Sequence, residues 1–171
     1  EPMKVGVAFA DIFTGLYAVI GMLGALYHRQ RTGEGQYIDM ALLDSQVAVL
    51  ANQALNFLVG GKAPTRLGNA HPNIVPYQTF ATRDGYIIMA VGTERQFKEF
   101  CTIIGVPHLA DDDRFRSNRV RVENRAALIP LLEGPMKART TAEWVDAFEA
   151  AAVPCGPINT IDQGFANEQV L

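Results

Sequence analysis

"YQTFATRDGYIIMAV" occupies residues 77–91. Two runs rich in β-branched and aromatic residues flank Arg83-Asp84-Gly85, and Asp-Gly between such runs signals a tight turn. The stretch predicts an antiparallel β-hairpin, and the C-terminal half is read outward from it. Downstream, Thr93-x-x-Gln96 is a capping box, and Phe97, Phe100, Cys101 and Ile104 line one face of the helix it opens. "ADDDRF" (110–115) reads as a polar loop. Residues 119–133 are helical in pattern, with a kink or break expected at Pro130. Thr140-x-x-Glu143 opens another helix with Trp144 and Phe148 turned inward, ending at Pro154. "CGPINT" (155–160) is extended, and Thr160-x-x-Gln163 starts a last helix that the chain end cuts short. Residues 77–171 therefore read as a small α+β domain built on the hairpin.

Upstream, "GGKAPTRLGNAHPNIVP" (60–76) is rich in glycine and proline and has no periodicity, so 61–76 reads as a linker. Residues 1–60 read as strand–helix–strand–helix and mostly buried. A β-like run at Val5 to Phe9 precedes a helix over 11–29, N-capped by Asp11 and closed by a turn at Gly33 and Gly35. "QYIDMAL" (36–42) is a strand candidate. Leu43, Val47, Leu50, Ala54 and Leu58 then recur at helical spacing until Gly60-Gly61. This reads as the C-terminal part of a larger α/β domain, which makes the chain α/β in class and α+β overall.

Composition bounds the function. The chain has 171 residues, a formal charge of −3 and 49% hydrophobic residues, as an ordinary globular protein does. No basic excess points to nucleic acid or an anionic membrane. The uncharged run Ile12 to Tyr27 is short of the ~20 residues a membrane span needs, and Gly15, Gly21 and Gly24 suit a buried helix. Cys101 and Cys155 are far apart and in no metal-like spacing, which predicts no metal site and, as the simplest reading, a reduced, cytoplasmic protein, with a single disulfide as the alternative. The chain opens on Glu1-Pro2 and stops on "FANEQVL", so an internal fragment lacking some functional residues is expected.

Asp11 is the lone charge in residues 5–23. One reading is a helix N-cap, worth about 1 kcal/mol. The other is a nucleophile held at a helix N-terminus, where the dipole keeps it ionised and free N–H groups stabilise an oxyanion. Spacing alone does not choose between them.

The motifs "P-x-K-V-G-V-A-x-x-D-x-x-T-G-L-Y-A" and "L-G-A-L-Y-H-R-x-x-T-G-E-G-Q-x-I-D-M-A-L-L-D" resemble the class III CoA-transferases, which include formyl-CoA and carnitine CoA-transferases and the α-methylacyl-CoA racemases. "R-L-G-N-A-H-P-N-I-V-P-Y-Q-T-F", "D-G-Y-I-I-M-A-V-G" and "V-P-C-G-P-I-N" continue the match in order. "GNAHPNIVPYQ" suggests the dicarboxylate or aryl-succinate type. The resemblance implies that Asp11 is the nucleophile, passing through a mixed anhydride and an aspartyl-CoA thioester. It implies acyl-CoA and a small carboxylic acid as substrates, with coenzyme A entering only as substrate and no permanent cofactor. It also implies a Rossmann-like large domain, an interlocked homodimer, and CoA-holding residues outside this chain. The family's glycine-rich loop falls at Gly68, where the glycine run is lacking; Asn69 and His71 are placed there to bond a substrate carboxylate. Glu94, in "V-G-T-E-R-Q-F", matches a glutamate of the racemases, and a racemase acid there is the alternative to a favourable first-turn charge. "D-I-F-T-G-L-Y-A" is transferase-like rather than racemase-like. A third reading is a folding and dimerisation module without activity. Arg119, Arg121 and Arg125 read as a solvated basic face, with a CoA phosphate contact as the functional alternative. Cys155 reads as a turn residue.

Overall fold

A computed structural model describes residues 3–170; Glu1, Pro2 and Leu171, part of the chain-end readings above, lie outside them. The chain is a mixed helix-and-strand protein and divides into two compact units, Glu1–Arg66 and Leu67–Leu171.

The first unit is helical. α1 spans Phe9–Thr32, 24 residues. It begins earlier than the sequence suggested, because the Phe9 N–H turns back onto the Val7 carbonyl (3.0 Å) and the run at 5–9 finds no strand to pair with. Its N-cap is Ala8, which has no side chain to accept a hydrogen bond, so Asp11 sits in the first turn rather than at the cap. Gly33 ends it in the left-handed conformation (φ 77°), donating to the Arg29 carbonyl at 2.8 Å. Residues 36–41 are not a strand either; the segment passes α1 closely enough that a Cβ on Gly21 would lie 3.3 Å from Ile38 Cγ2.

The single helix expected over 43–58 is two, α2 (Leu42–Ala48) and α3 (Ala51–Gly60). Ala51 takes a left-handed φ of 46°, which no continuous right-handed helix accommodates. Gly61 caps α3 at φ 69°, as the sequence suggested. Burial departs furthest from expectation. α1 has no buried residue, and Ser45 is the one buried side chain among the described residues of this unit. Ile20 and Leu23 keep 64% and 61% of their surface exposed. By length and composition α1 is apolar enough to cross a membrane, a test that the core helix of a larger soluble protein also passes. It exceeds the run of 12–27 that the sequence reading judged too short.

The second unit holds the hairpin. β1 (Tyr77–Ala81) pairs antiparallel with β2 (Tyr86–Ala90), Phe80 opposite Ile87, and β3 (Cys155–Pro157) adds to the far side of β2. α4 (Glu94–Ile103) follows under the Thr93/Gln96 capping box, then a 3₁₀ turn at Pro107–Ala110. α5 (Asn118–Glu123) and α6 (Arg125–Met136) divide at Asn124, not at Pro130. Pro130 and Ala126 are exposed, so the carbonyl that loses its helical donor can turn to water and the helix continues. α7 (Thr141–Ala150) starts at the Thr140/Glu143 box and α8 (Ile161–Phe165) closes the chain.

One core joins these elements. Phe80, Ile87 and Met89 of the sheet meet Phe97 and Phe100 of α4, Leu128 and Leu132 of α6, and Trp144 and Phe148 of α7. The Phe100 and Phe148 rings lie 5.5 Å apart, those of Trp144 and Phe148 5.4 Å. Residues 67–76, read from sequence as part of a linker, are fastened into this unit: Val75 is buried and its N–H donates to Asn118 Oδ1 at 3.0 Å.

Candidate active site

Asp11 projects from the first turn of α1, where the positive end of the helix dipole favours a carboxylate. Because Ala8 supplies no cap, the amides of Ala10 and Asp11 find no acceptor among the described residues. An open carboxylate and free N–H donors thus share one helix end. They face a hollow of about 680 Å³ lined by Lys4, Val5, Val7 to Asp11, Phe13, Gln46 and Val49. Lys4 puts a cation in that hollow. Only its place inside the first quoted motif marked it in the sequence, and nothing marked Gln46. One turn on, the Thr14 hydroxyl donates to the Ala10 carbonyl at 2.6 Å.

The loop carrying Gly68, Asn69 and His71 belongs to the second unit. Gly68 adopts φ 60°, a conformation that needs glycine, and Asn69 is exposed. His71 is half-buried and held on several sides. Its N–H donates to the Tyr77 carbonyl (2.8 Å), and its ring stacks on Tyr77 with centroids 5.1 Å apart. Its Nδ1 accepts the Asn73 N–H (3.1 Å), and its carbonyl accepts Arg125 Nη2 (2.7 Å).

Glu94 lies in the first turn of α4, as expected, but its carboxylate is engaged. Oε1 accepts the Asn118 N–H that opens α5 (3.0 Å) and lies 4.0 Å from Arg121 Nη2. The Asn118 amide, its own backbone and the Arg121 charge hold the carboxyl below its ordinary value.

The basic face is where the sequence reading fails. Arg119 is exposed and pairs with Glu123. Arg121 is fully buried: Nε donates to the Val75 carbonyl (2.7 Å), Nη1 to that of Phe115 (3.0 Å), and the guanidinium lies 4.3 Å from the Phe97 ring centroid. Arg125 binds the His71 and Pro72 carbonyls. Neither Arg121 nor Arg125 lies on a solvated face. The overlooked signal is the spacing 121, 125, 128, 132, which puts both arginines on the stripe of Leu128 and Leu132. Cys101 and Cys155 are free thiols, and burial pushes them up to about 12 and about 11, away from nucleophilic thiolate. Among the described residues no cluster of His, Cys, Asp and Glu could hold a metal.

The whole chain, residues 1–171, matches the family "CoA-transferase family III", and the chain belongs to that family. It is 49% identical to a succinate–glutarate CoA-transferase of Agrobacterium fabrum, over 99% of this chain and 42% of that protein. It is 43% identical to a human succinyl-CoA:glutarate CoA-transferase, over 100% of this chain and 39% of that one. Among solved structures, a CAIB/BAIF family protein of Brucella suis is 54% identical with a TM-score of 0.77, over 99% of this chain and 45% of that chain. The chain thus spans about two fifths of the length of these curated relatives.

Proposed function

We propose that the protein transfers CoA from an acyl-CoA to a dicarboxylic acid, with Asp11 as the nucleophile. The observation that carries this reading is the carboxylate in the uncapped first turn of α1, beside free amides and at the edge of an open hollow. Names of relatives that act on succinate and glutarate support the substrate class.

The steps balance without a metal or water. An Asp11 oxygen attacks the thioester carbonyl, giving a mixed anhydride and CoA thiolate. The thiolate attacks the aspartyl carbonyl, forming an aspartyl-CoA thioester and freeing the donor acid. The acceptor carboxylate attacks that thioester, making a second anhydride and releasing the thiolate again. The thiolate then takes the acceptor acyl group and Asp11 is regenerated. Free amides at the helix end suit the oxyanion of each addition. Water must be kept from both anhydrides. The apolar surface that unit one leaves exposed fits cover by a homodimer partner, and we place the CoA-holding residues outside this chain. Glu94, already accepting the Asn118 N–H and held ionised, is poorly suited to the acid role a racemase would give it.

The test is mass spectrometry of the intact protein after brief exposure to succinyl-CoA. A CoA adduct is expected on the peptide carrying Asp11 and absent in Asp11→Ala, whose turnover falls by about 10⁴-fold or more, as for other covalent nucleophiles. No adduct, with solvent deuterium entering the substrate α-carbon, would overturn the transferase reading in favour of a racemase.

A further inference from the structure

The hollow beside Asp11 is lined by the first unit alone. Only Lys4, Asp11 and Gln46 bring polar side chains to it, and the rest of its lining side chains are apolar. Phe9 and Phe13 make part of that apolar wall, their rings stacked with centroids 5.7 Å apart. The chain turns back just before α1, where the Phe9 N–H donates to the Val7 carbonyl at 3.0 Å, and Lys4 lines the same hollow as Asp11.

Charge is distributed there in a particular way. Lys4 is the one cation in the lining and Asp11 the one anion. They form no ion pair with each other, and neither has a charged partner elsewhere among the described residues. A lysine in contact with Asp11 would occupy the oxygens that must attack. Held apart, the two charges leave Asp11 open and leave the Lys4 ammonium free to attract a second anion in the same hollow. A dicarboxylic acid brings that anion. While one of its carboxylates reacts at Asp11 the other stays ionised, and setting it among apolar side chains without a counterion is costly. Gln46 can donate a hydrogen bond but has no charge to offset it.

Resting on the transferase reading, we propose that Lys4 is a specificity-determining residue: its ammonium takes the carboxylate of the dicarboxylic acid that is not reacting, with the Phe9 and Phe13 rings beside the methylenes. Lys4 is exposed, and its compact ammonium on a flexible stem demands no fixed fork geometry. One residue can therefore serve acids whose lengths differ by a methylene.

The test compares glutarate with pentanoate on the intact protein. Pentanoate has the same carbon chain and lacks the second carboxylate; it is measured as an acceptor or, where it is not turned over, as a competitor of glutarate. Glutarate should have the lower KM in the parent. Lys4→Met keeps much of the stem and removes the charge. It should raise KM for glutarate about tenfold, the loss of one charge-assisted hydrogen bond, and move pentanoate by less than about twofold. Lys4→Arg, which restores a cation, should recover part of that loss. Added salt should raise KM for glutarate in the parent and much less in Lys4→Met, because the field of an exposed cation is screened. An unchanged KM for glutarate in Lys4→Met, or an equal rise for both acids, overturns this inference alone when the parent still forms the Asp11 adduct. Failure of the parent to form that adduct overturns the transferase reading and this one together.

Discussion

The two units solve folding differently. Every buried apolar side chain among the described residues, from Val75 to Val153, lies in the second unit, while the first buries only Ser45. Yet the first unit carries the candidate nucleophile, on a 24-residue helix rich in exposed Ile, Leu and Met. The core and the candidate nucleophile thus lie in different parts of the chain. The second unit supplies its own core, and apolar burial of that kind is the main favourable term in folding. The first has helices with apolar surface and, on this chain, little to put against it.

The sharpest way to break that comparison is to truncate one large apolar side chain to alanine in each unit. Phe148→Ala removes a ring stacked between Phe100 and Trp144, and we expect a loss of about 4 kcal/mol in urea unfolding followed by tryptophan fluorescence. Leu23→Ala, on the exposed surface of α1, should change the stability of this chain by no more than about 0.5 kcal/mol. A similar loss in both would mean that α1 is packed in solution as tightly as the core, and the contrast would fall.

A smaller effect sharpens the picture of how the second unit is held. Arg121→Met fills much of the same volume but leaves the Val75 and Phe115 carbonyls without their donor, so about 2 kcal/mol should be lost. Arg119→Met, on an exposed residue, should be silent by the same measurement. Equal effects would restore the solvated basic face that the sequence suggested.

That face shows what was legible and what was not. The hairpin could be read because Asp84-Gly85 and its flanking runs lie within fifteen residues of each other. The capping boxes at Thr93 and Thr140 could be read because their hydrogen bonds are local. The strand candidates at 5–9 and 36–42 could not be settled, since a strand exists only with a partner and pairing is not local. Nor could the break at Ala51, a backbone strain with no residue signature, since alanine is a strong helix former. At the candidate site, Asp11 was singled out through its motif, but the cap was misassigned by three residues because Ala8 and Asp11 both lie where a helix could begin. Arg121 was missed because a buried cation is rare, and its carbonyl partners are 46 and six residues away.

The smallest effect we expect is electrostatic and belongs to the second unit. Asp112 is pushed down to about 2, chiefly by its hydrogen bonds to the Arg114 side chain and amide. Asp84 is lowered first by the Thr141 amide at the start of α7, and Glu143 first by the Thr140 amide that it caps. In each case the folded state prefers the charged form, so the unfolded chain binds protons first as the pH falls. The stabilisation is therefore fully present above the ordinary carboxylate range. It declines as pH drops below the ordinary Asp value of 3.8, and for Asp112 it is gone below about 2. Urea midpoints of the second unit should be flat from pH 7 to 5 and then fall, and Asp112→Asn should flatten part of that fall by lowering the midpoint at pH 7 while changing little at the acid end. Asp84 and Glu143 are exposed and Asp112 is partly so, so salt should weaken the effect as it would not weaken the aromatic core. A midpoint that instead rises on acidification would mean that the turn at Asp84 and the cap at Glu143 do not hold their bonds in solution. In that case the hairpin and α7 would depend on the core alone.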